Sequence, residues 1–234
     1  MLEALRPDVI ITQDLCDVCS IDLATVRRVA AGMAGGREGG PEVVSLNPET
    51  IEGILDSILT VGRAIGRERS AIDAVVQLRE RLFAAQEFVN PFADGPVVGF
   101  LEWTDPLYCA GHWNVQLIER AGGQHPWNAT VPKENAGAAA GPMGAERVAG
   151  KSVRVPEELF VACKPEAVII APCGYSQVQA EFAARELAKK AWWGELPAVK
   201  KGRVAVMDGN AWFNRPGPRV VDAFEWMVEW LGRG

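Results

Sequence analysis

The sequence predicts an α/β protein of two lobes with mainly parallel sheets, joined by one long rigid helix. Short apolar runs of strand length alternate with helix-length segments along nearly the whole chain. One uninterrupted helical segment separates two groups of these alternations. The chain has 234 residues, the size of one large domain or two small ones and ample for a core.

In chain order, LEALRP reads as the last turn of a helix stopped by Pro7, and Met1 falls where its middle belongs. The chain therefore reads as truncated at the front. Asp8–Gln13 (DVIITQ) is a short buried parallel strand. Ile21–Met33 is an amphipathic helix, and the glycine-rich stretch 32–40 is a loop. Glu42–Leu46 is the second strand. Asn47-Pro48 then supplies a cap and a first-turn proline. Ile51, Ile54, Leu55, Ile58, Leu59 and Ile65 follow at helical spacing, with Gly62 and Gly66 weakening and closing that helix. Ser70 opens the next helix, with Asp73 at the capping-box position and Ile72, Val75, Val76, Leu82 and Phe83 as its stripe. Running to about Val89, it is roughly 30 Å long, a strut between two lobes.

The alternation then resumes. Pro96–Trp103 is a strand and His112–Ala121 a helix. Residues 124–152, rich in Ala and Gly without hydrophobic period, form an irregular insertion. A further strand is read near Ser152–Val155. Pro156–Cys163 is a short helix, Ala167–Pro172 a strand, Gln177–Ala191 a helix, Arg203–Asp208 a strand and Pro218–Leu231 the terminal helix. The domain reading is 1–69 for a partial first lobe, 70–90 for the backbone helix and 91–234 for the second lobe.

Composition excludes several classes. Hydrophobic residues at 48% and charged residues at 23% exclude disordered and collagen-like chains. A net charge of −6 without a Lys/Arg block leaves no electrostatic footprint for nucleic acid or an anionic membrane. No apolar run approaches the roughly 20 residues of a membrane helix. MLEALRPDVII has neither a basic nor an apolar signal region, and five cysteines argue against a disulfide framework. These features point to the cytoplasm or to a truncated form of an exported protein.

Ligands of open α/β sheets sit beyond the carboxyl ends of the strands. The segments there hold Trp103, Tyr108, Trp113, Tyr175, Trp212 and Phe213, in a chain with eight Trp and only two Tyr. Such rings either line a pocket for a large flat ligand or plug the ends of the sheet. Cys16 and Cys19 read as small residues in a turn, as a ligand contact, or as a redox or metal pair; no second CxxC or CxxH completes a zinc site. His112 starts a helix straight after a strand loop, which suits a ligand contact, an axial metal ligand or a polar cap. His125 carries no assignment. Arg215 lies in a proline-stiffened turn beside Trp212 and Phe213, a placement that favours a site over an ordinary surface arginine. No G-x-S-x-G, G-x-G-x-x-G or P-loop is present, so neither catalysis nor a bound cofactor is expected. Asn128-Ala129-Thr130 is a chance glycosylation triplet.

Four stretches carry a resemblance: LRPDVIITQDLCDVCSID, FLEWTDPLYCAGHWNVQLIERAGG, VIIAPCG and GNAWFNRPGPRVVDAFEWM. In this order they resemble the cobalamin-binding branch of the class III, helical-backbone substrate-binding proteins of ABC importers. The resemblance implies a non-catalytic corrinoid binder with its ligand between the lobes. Carried over by motif, the contacts are Gln13, Cys16, Trp103, Asp105, His112, Trp113, Trp212, Phe213 and Arg215, with Arg215 donating to corrin side-chain amides. Glu158 matches an acid that docks such proteins onto permease arginines. Family members begin with a further strand–helix–strand stretch that this sequence lacks. Two other readings accompany the corrinoid: haem or an iron chelate on the same fold, and a cytosolic corrinoid-handling or thiol-redox protein using Cys16 and Cys19.

Overall fold

The computed structural model describes residues 5–13, 21–33, 40–134, 136–137, 141 and 144–233. The turn carrying Cys16 and Cys19, most of the helix end before Pro7, the glycine-rich loop and part of the 124–152 insertion lie outside the described residues. Two units divide the chain: Met1–Pro48 with Glu52–Leu78, and Glu49–Ile51 with Arg79–Gly234.

In the N-terminal unit, β1 (Val9–Thr12) pairs in parallel with β2 (Glu42–Ser45), Val9 opposite Glu42. Between them α1 (Leu23–Gly32) is capped by Asp22, whose carboxylate accepts the Thr25 N–H at 2.8 Å. Helix α2 (Ile51–Ala64) and helix α3 (Glu68–Gln86) follow. Their approach depends on glycine: a Cβ on Gly62 would lie 2.3 Å from the Ala71 Cβ. Gly66, at φ +65°, makes the left-handed turn between them. Because that turn is so short, α3 starts at Glu68, and Ser70 lies inside the helix instead of capping it. Its buried stripe is Ala71, Val75, Leu78 and Leu82, while Ile72, Val76 and Phe83 are exposed on the shoulder. The 19 residues of α3 span about 28 Å.

The C-terminal unit is built on a five-stranded sheet of order β7-β4-β3-β8-β9. Its strands are β3 (Val98–Thr104), β4 (Leu107–Cys109), β7 (Val153–Arg154), β8 (Ala167–Ile170) and β9 (Val204–Val206). Strands β3, β8 and β9 are parallel, whereas β4 and β7 run antiparallel. The parallel strands are the expected ones, and β4 with β7 adds an antiparallel side that makes the sheet mixed. Asp105 and Pro106 alone separate β3 from β4, and a connection that short permits only an antiparallel return. The strand expected near Ser152–Val155 is β7. Around the sheet lie α4 (His112–Arg120), α5 (Glu157–Ala162), α6 (Gln177–Leu187), α7 (Pro197–Lys200), α8 (Gly209–Trp212) and α9 (Val220–Gly232).

Strand β8 is buried along its whole length, as a central strand covered on both faces must be. Leu101, Val168, Ile170, Phe160, Leu187 and Trp193 make up much of the core around it. The last turns of α3, from Arg79 on, belong to this unit, where Arg81 holds Asp222 at 2.6 Å and Glu225 at 2.5 Å on α9. The buried Arg120 of α4 donates to Gln86 Oε1 at 2.9 Å and lies over the Phe224 ring.

The 124–152 insertion has more order than its composition implies. Strands β5 (Val131–Pro132) and β6 (Arg147–Val148) form a hairpin within it. Polar contacts anchor it: Glu119 accepts from the Thr130 N–H at 2.8 Å and from its hydroxyl, and Arg147 donates to the Thr130 carbonyl at 2.6 Å. His125, unassigned from sequence, is buried here with Nδ1 2.9 Å from the Val98 carbonyl.

Candidate functional site

Strands β3, β8 and β9 are parallel, so their carboxyl ends share one edge of the C-terminal unit. Hydrogen bonds between the exits stitch that edge together. The Cys173 N–H donates to the Glu102 carbonyl at 3.0 Å, and Asn214 Nδ2 to the Ala171 carbonyl at 3.4 Å. Gly209 abuts the end of β8, where an added Cβ would come within 2.5 Å of the Pro172 carbonyl.

On this edge Trp103 and Tyr175 meet at 5.1 Å, edge to face, both half-buried. The Trp103 indole N–H donates to the Asp105 carbonyl at 3.0 Å, which fixes the ring against the β3–β4 turn. Trp212 ends α8 with its ring half-buried, 6.5 Å from Trp226, which stacks on Trp230. Asp105 and Arg215 are exposed at the rim.

Two expected contacts are placed differently. Trp113 is 6% exposed and Phe213 1% exposed. The Trp113 indole N–H donates to the Phe213 carbonyl at 2.8 Å, and the Phe213 ring meets Phe100 at 5.0 Å. These rings pack beneath the edge. Trp113 and Phe213 are thus buried, while Trp103, Tyr175 and Trp212 keep exposed surface.

His112 is the first residue of α4, with φ +49° and a half-buried ring stacked beside Trp113. Burial holds its imidazole below the ordinary range, Lys151 adds to that, and Glu49 opposes it. The ring is thus neutral at neutral pH. Its Nδ1 is buried without a hydrogen-bond partner. Metal-bound histidines normally pass their second ring N–H to an acceptor. This arrangement therefore suits a ring contact better than an axial metal ligand. Among the described residues, no group of three or more His, Cys, Asp or Glu could hold a metal ion.

Sequence reasoning passed over Glu102. Its carboxylate, one residue before Trp103, accepts from Asn114 Nδ2 at 2.9 Å, the Gly111 N–H at 3.4 Å and the Ser152 hydroxyl. Burial raises its pKa, against those three hydrogen bonds. The available signal was an acid set in the apolar run VVGFLEW at a strand exit. Asn128 is committed as well: its amide donates to the Ala110, Gly150 and Lys151 carbonyls at 3.0, 3.2 and 3.0 Å. That supports reading its glycosylation triplet as chance.

Gln13 follows β1 in the N-terminal unit, half-buried, and Cys16 lies outside the described residues. Glu158 is exposed in the first turn of α5. Its neighbour Glu157 binds Lys190 at 2.9 Å and the Trp192 indole at 2.6 Å.

No protein-family model matches the chain, and no significant match is found among curated proteins. Solved structures do match. A periplasmic haem-binding protein from Roseiflexus sp. RS-1 is similar at 19% identity and TM-score 0.71, over 98% of this chain and 77% of the other. A periplasmic haem-binding protein from Pseudomonas aeruginosa is similar at 20% identity and TM-score 0.70, over 99% and 74%. The periplasmic vitamin B12-binding protein of Vibrio cholerae is similar at 20% identity and TM-score 0.66, over 97% and 75%. The chain has the two-lobe α/β fold of the helical-backbone periplasmic substrate-binding proteins.

Proposed function

We propose that this chain is a non-catalytic binder of a large, flat, metal-centred ligand, a tetrapyrrole or ferric chelate, in the service of an ABC importer. The observation that carries the reading is the set of half-buried rings at the strand exits, Trp103, Tyr175 and Trp212. Ring faces supply contact area at low entropic cost, and Asp105, His112 and Arg215 add polar groups at the same edge. Haem stands first among the ligands, because haem binders outnumber the vitamin B12 binder among the similar structures. The four sequence stretches quoted above support a corrinoid as the second reading. Glu158, exposed beside a Glu157 already committed to Lys190 and Trp192, is the proposed acid for permease docking.

The test is titration with haemin, cyanocobalamin and a ferric hydroxamate, read by visible spectrum and by quenching of Trp emission. Saturable one-to-one binding of a probe, weakened in Trp103→Ala and Trp212→Ala, supports the reading. No saturable binding of any of the three to the folded chain refutes it.

A further inference from the structure

Glu102 and Asn128 place no side-chain face on the aromatic edge, yet between them they tie down each segment that meets at His112. Glu102 joins the end of β3 to Gly111 and Asn114 at the start of α4, and to Ser152 across the insertion. Asn128 spans the same junction from the other end, donating to Ala110 on one side and to Gly150 and Lys151 on the other. The His112 N–H completes the stitch by donating to the Gly150 carbonyl at 2.9 Å. The fit is close: a Cβ on Gly111 would lie 2.3 Å from the Ser152 nitrogen. At the centre, His112 adopts φ +49°, a left-handed conformation uncommon outside glycine but one that histidine enters more readily than most residues.

We infer that Glu102 and Asn128 are positioning residues of the ligand site, holding the left-handed turn that sets the His112 imidazole beside the aromatic edge. This rests on the ligand-binding reading above for its purpose, though the positioning can be measured without a ligand. Here the held residue is itself half-exposed, and its Nδ1 has no hydrogen bond of its own, so the backbone turn and the stacked Trp113 ring set the direction of the imidazole.

The test has two arms. In the ligand-free chain, proton NMR follows the imidazole signals; the chain has only two histidines, and His112→Ala assigns them. Asn128→Ala replaces one neutral side chain with another, so the charged groups that act on the ring, Glu49 and Lys151, are unchanged. Loosening the turn exposes the imidazole, and the His112 midpoint rises toward its ordinary value. Asn128→Ser keeps one donor, gives a smaller rise, and serves should the alanine variant fail to fold. The control Glu119→Gln, which weakens the Thr130–Arg147 anchor of the hairpin, leaves the midpoint in place. An unmoved His112 midpoint in the folded Asn128 variants overturns the inference.

In the second arm, with whichever of haemin or cyanocobalamin binds the unaltered chain, Glu102→Ala weakens affinity by about tenfold, the loss expected when buried hydrogen-bonding groups are orphaned. Glu102→Gln, which still accepts from Asn114 and Gly111, restores most of it. In a His112→Ala background Glu102→Ala costs nothing further, because a residue that acts through His112 has nothing left to position. Equal losses in both backgrounds overturn the inference. If neither probe binds the unaltered chain, the ligand reading falls while the NMR arm still decides the positioning.

Discussion

Acid is expected to destabilise the C-terminal unit through His125. Its ring is 1% exposed, and desolvation lowers its pKa from an ordinary 6.5 to about 4; the Val98 and Ala110 carbonyls, which favour the cation, offset only part of this. Because the folded value lies below the unfolded one, the unfolded chain takes up the proton first as pH falls. Stability is therefore complete above about pH 6.5 and is lost on the way down to about pH 4. The difference corresponds to about 3 kcal/mol in full, of which about 2 kcal/mol is gone by pH 5. Glu102 works in the opposite sense: burial raises its carboxyl pKa, so the folded chain binds that proton first and gains stability as pH falls. The comparison must therefore remove His125 alone. His125→Phe keeps a ring against Trp127, whose centroid is 5.3 Å away, and removes the titration. Losing the bond to Val98 adds a cost that does not change with pH. Urea unfolding between pH 7 and 5, read by Trp emission, suits the question, since all eight Trp lie between residues 103 and 230, within the C-terminal unit. The advantage of the unaltered chain over His125→Phe should shrink by about 2 kcal/mol across that range. Parallel stability curves for the two proteins would refute the reasoning.

Trp212→Ala should weaken ligand binding by at least about 1 kcal/mol with little loss of stability, measured by titration and thermal melting. Trp226→Ala, which removes the ring lying against Trp212 and Trp230, should instead cost about 2 kcal/mol of stability; equal affinities of the Trp212 variant and the unaltered chain would reduce Trp212 to a plug. Gly62→Ala should destabilise the α2–α3 pair by about 1–3 kcal/mol, because its Cβ would fall 2.3 Å from that of Ala71. Hydrogen exchange of α2 and α3 reads this, and unchanged protection would contradict it. Glu158→Ala should leave stability within about 0.5 kcal/mol while lowering stimulation of a partner permease's ATPase; full stimulation would dismiss Glu158 as a docking residue.

Much of the architecture was legible because it rests on local pattern. The run AVII is apolar at every position, and β8 is buried at every position. The stripe Val220, Val221, Phe224, Met227, Val228 and Leu231 lies on the buried face of α9. Less legible was β4, three residues after a two-residue turn, too short to display any period. Ser70 looked like a cap because its neighbours have capping chemistry, but the glycine turn before it let the helix begin earlier. Trp103, Trp212 and Arg215 could be placed near the strand exits from their positions in the sequence. That Trp113 and Phe213 face inward could not, since both rings sit in segments whose other aromatics face outward.

The sequence by itself determined the alternation of strands and helices, the edge of the sheet on which a site would form, and the concentration of aromatic rings there. Each of these follows from interactions within a few residues, where periodicity and turn chemistry act. Tertiary structure alone decided the mixed sheet, the burial of Trp113 and Phe213, and the stitching of His112 by Glu102 and Asn128. The partners of those two residues lie between 9 and 50 positions away along the chain. A hydrogen bond across that separation leaves no local period in the sequence; it exists only once the packed core brings the segments together and desolvates them.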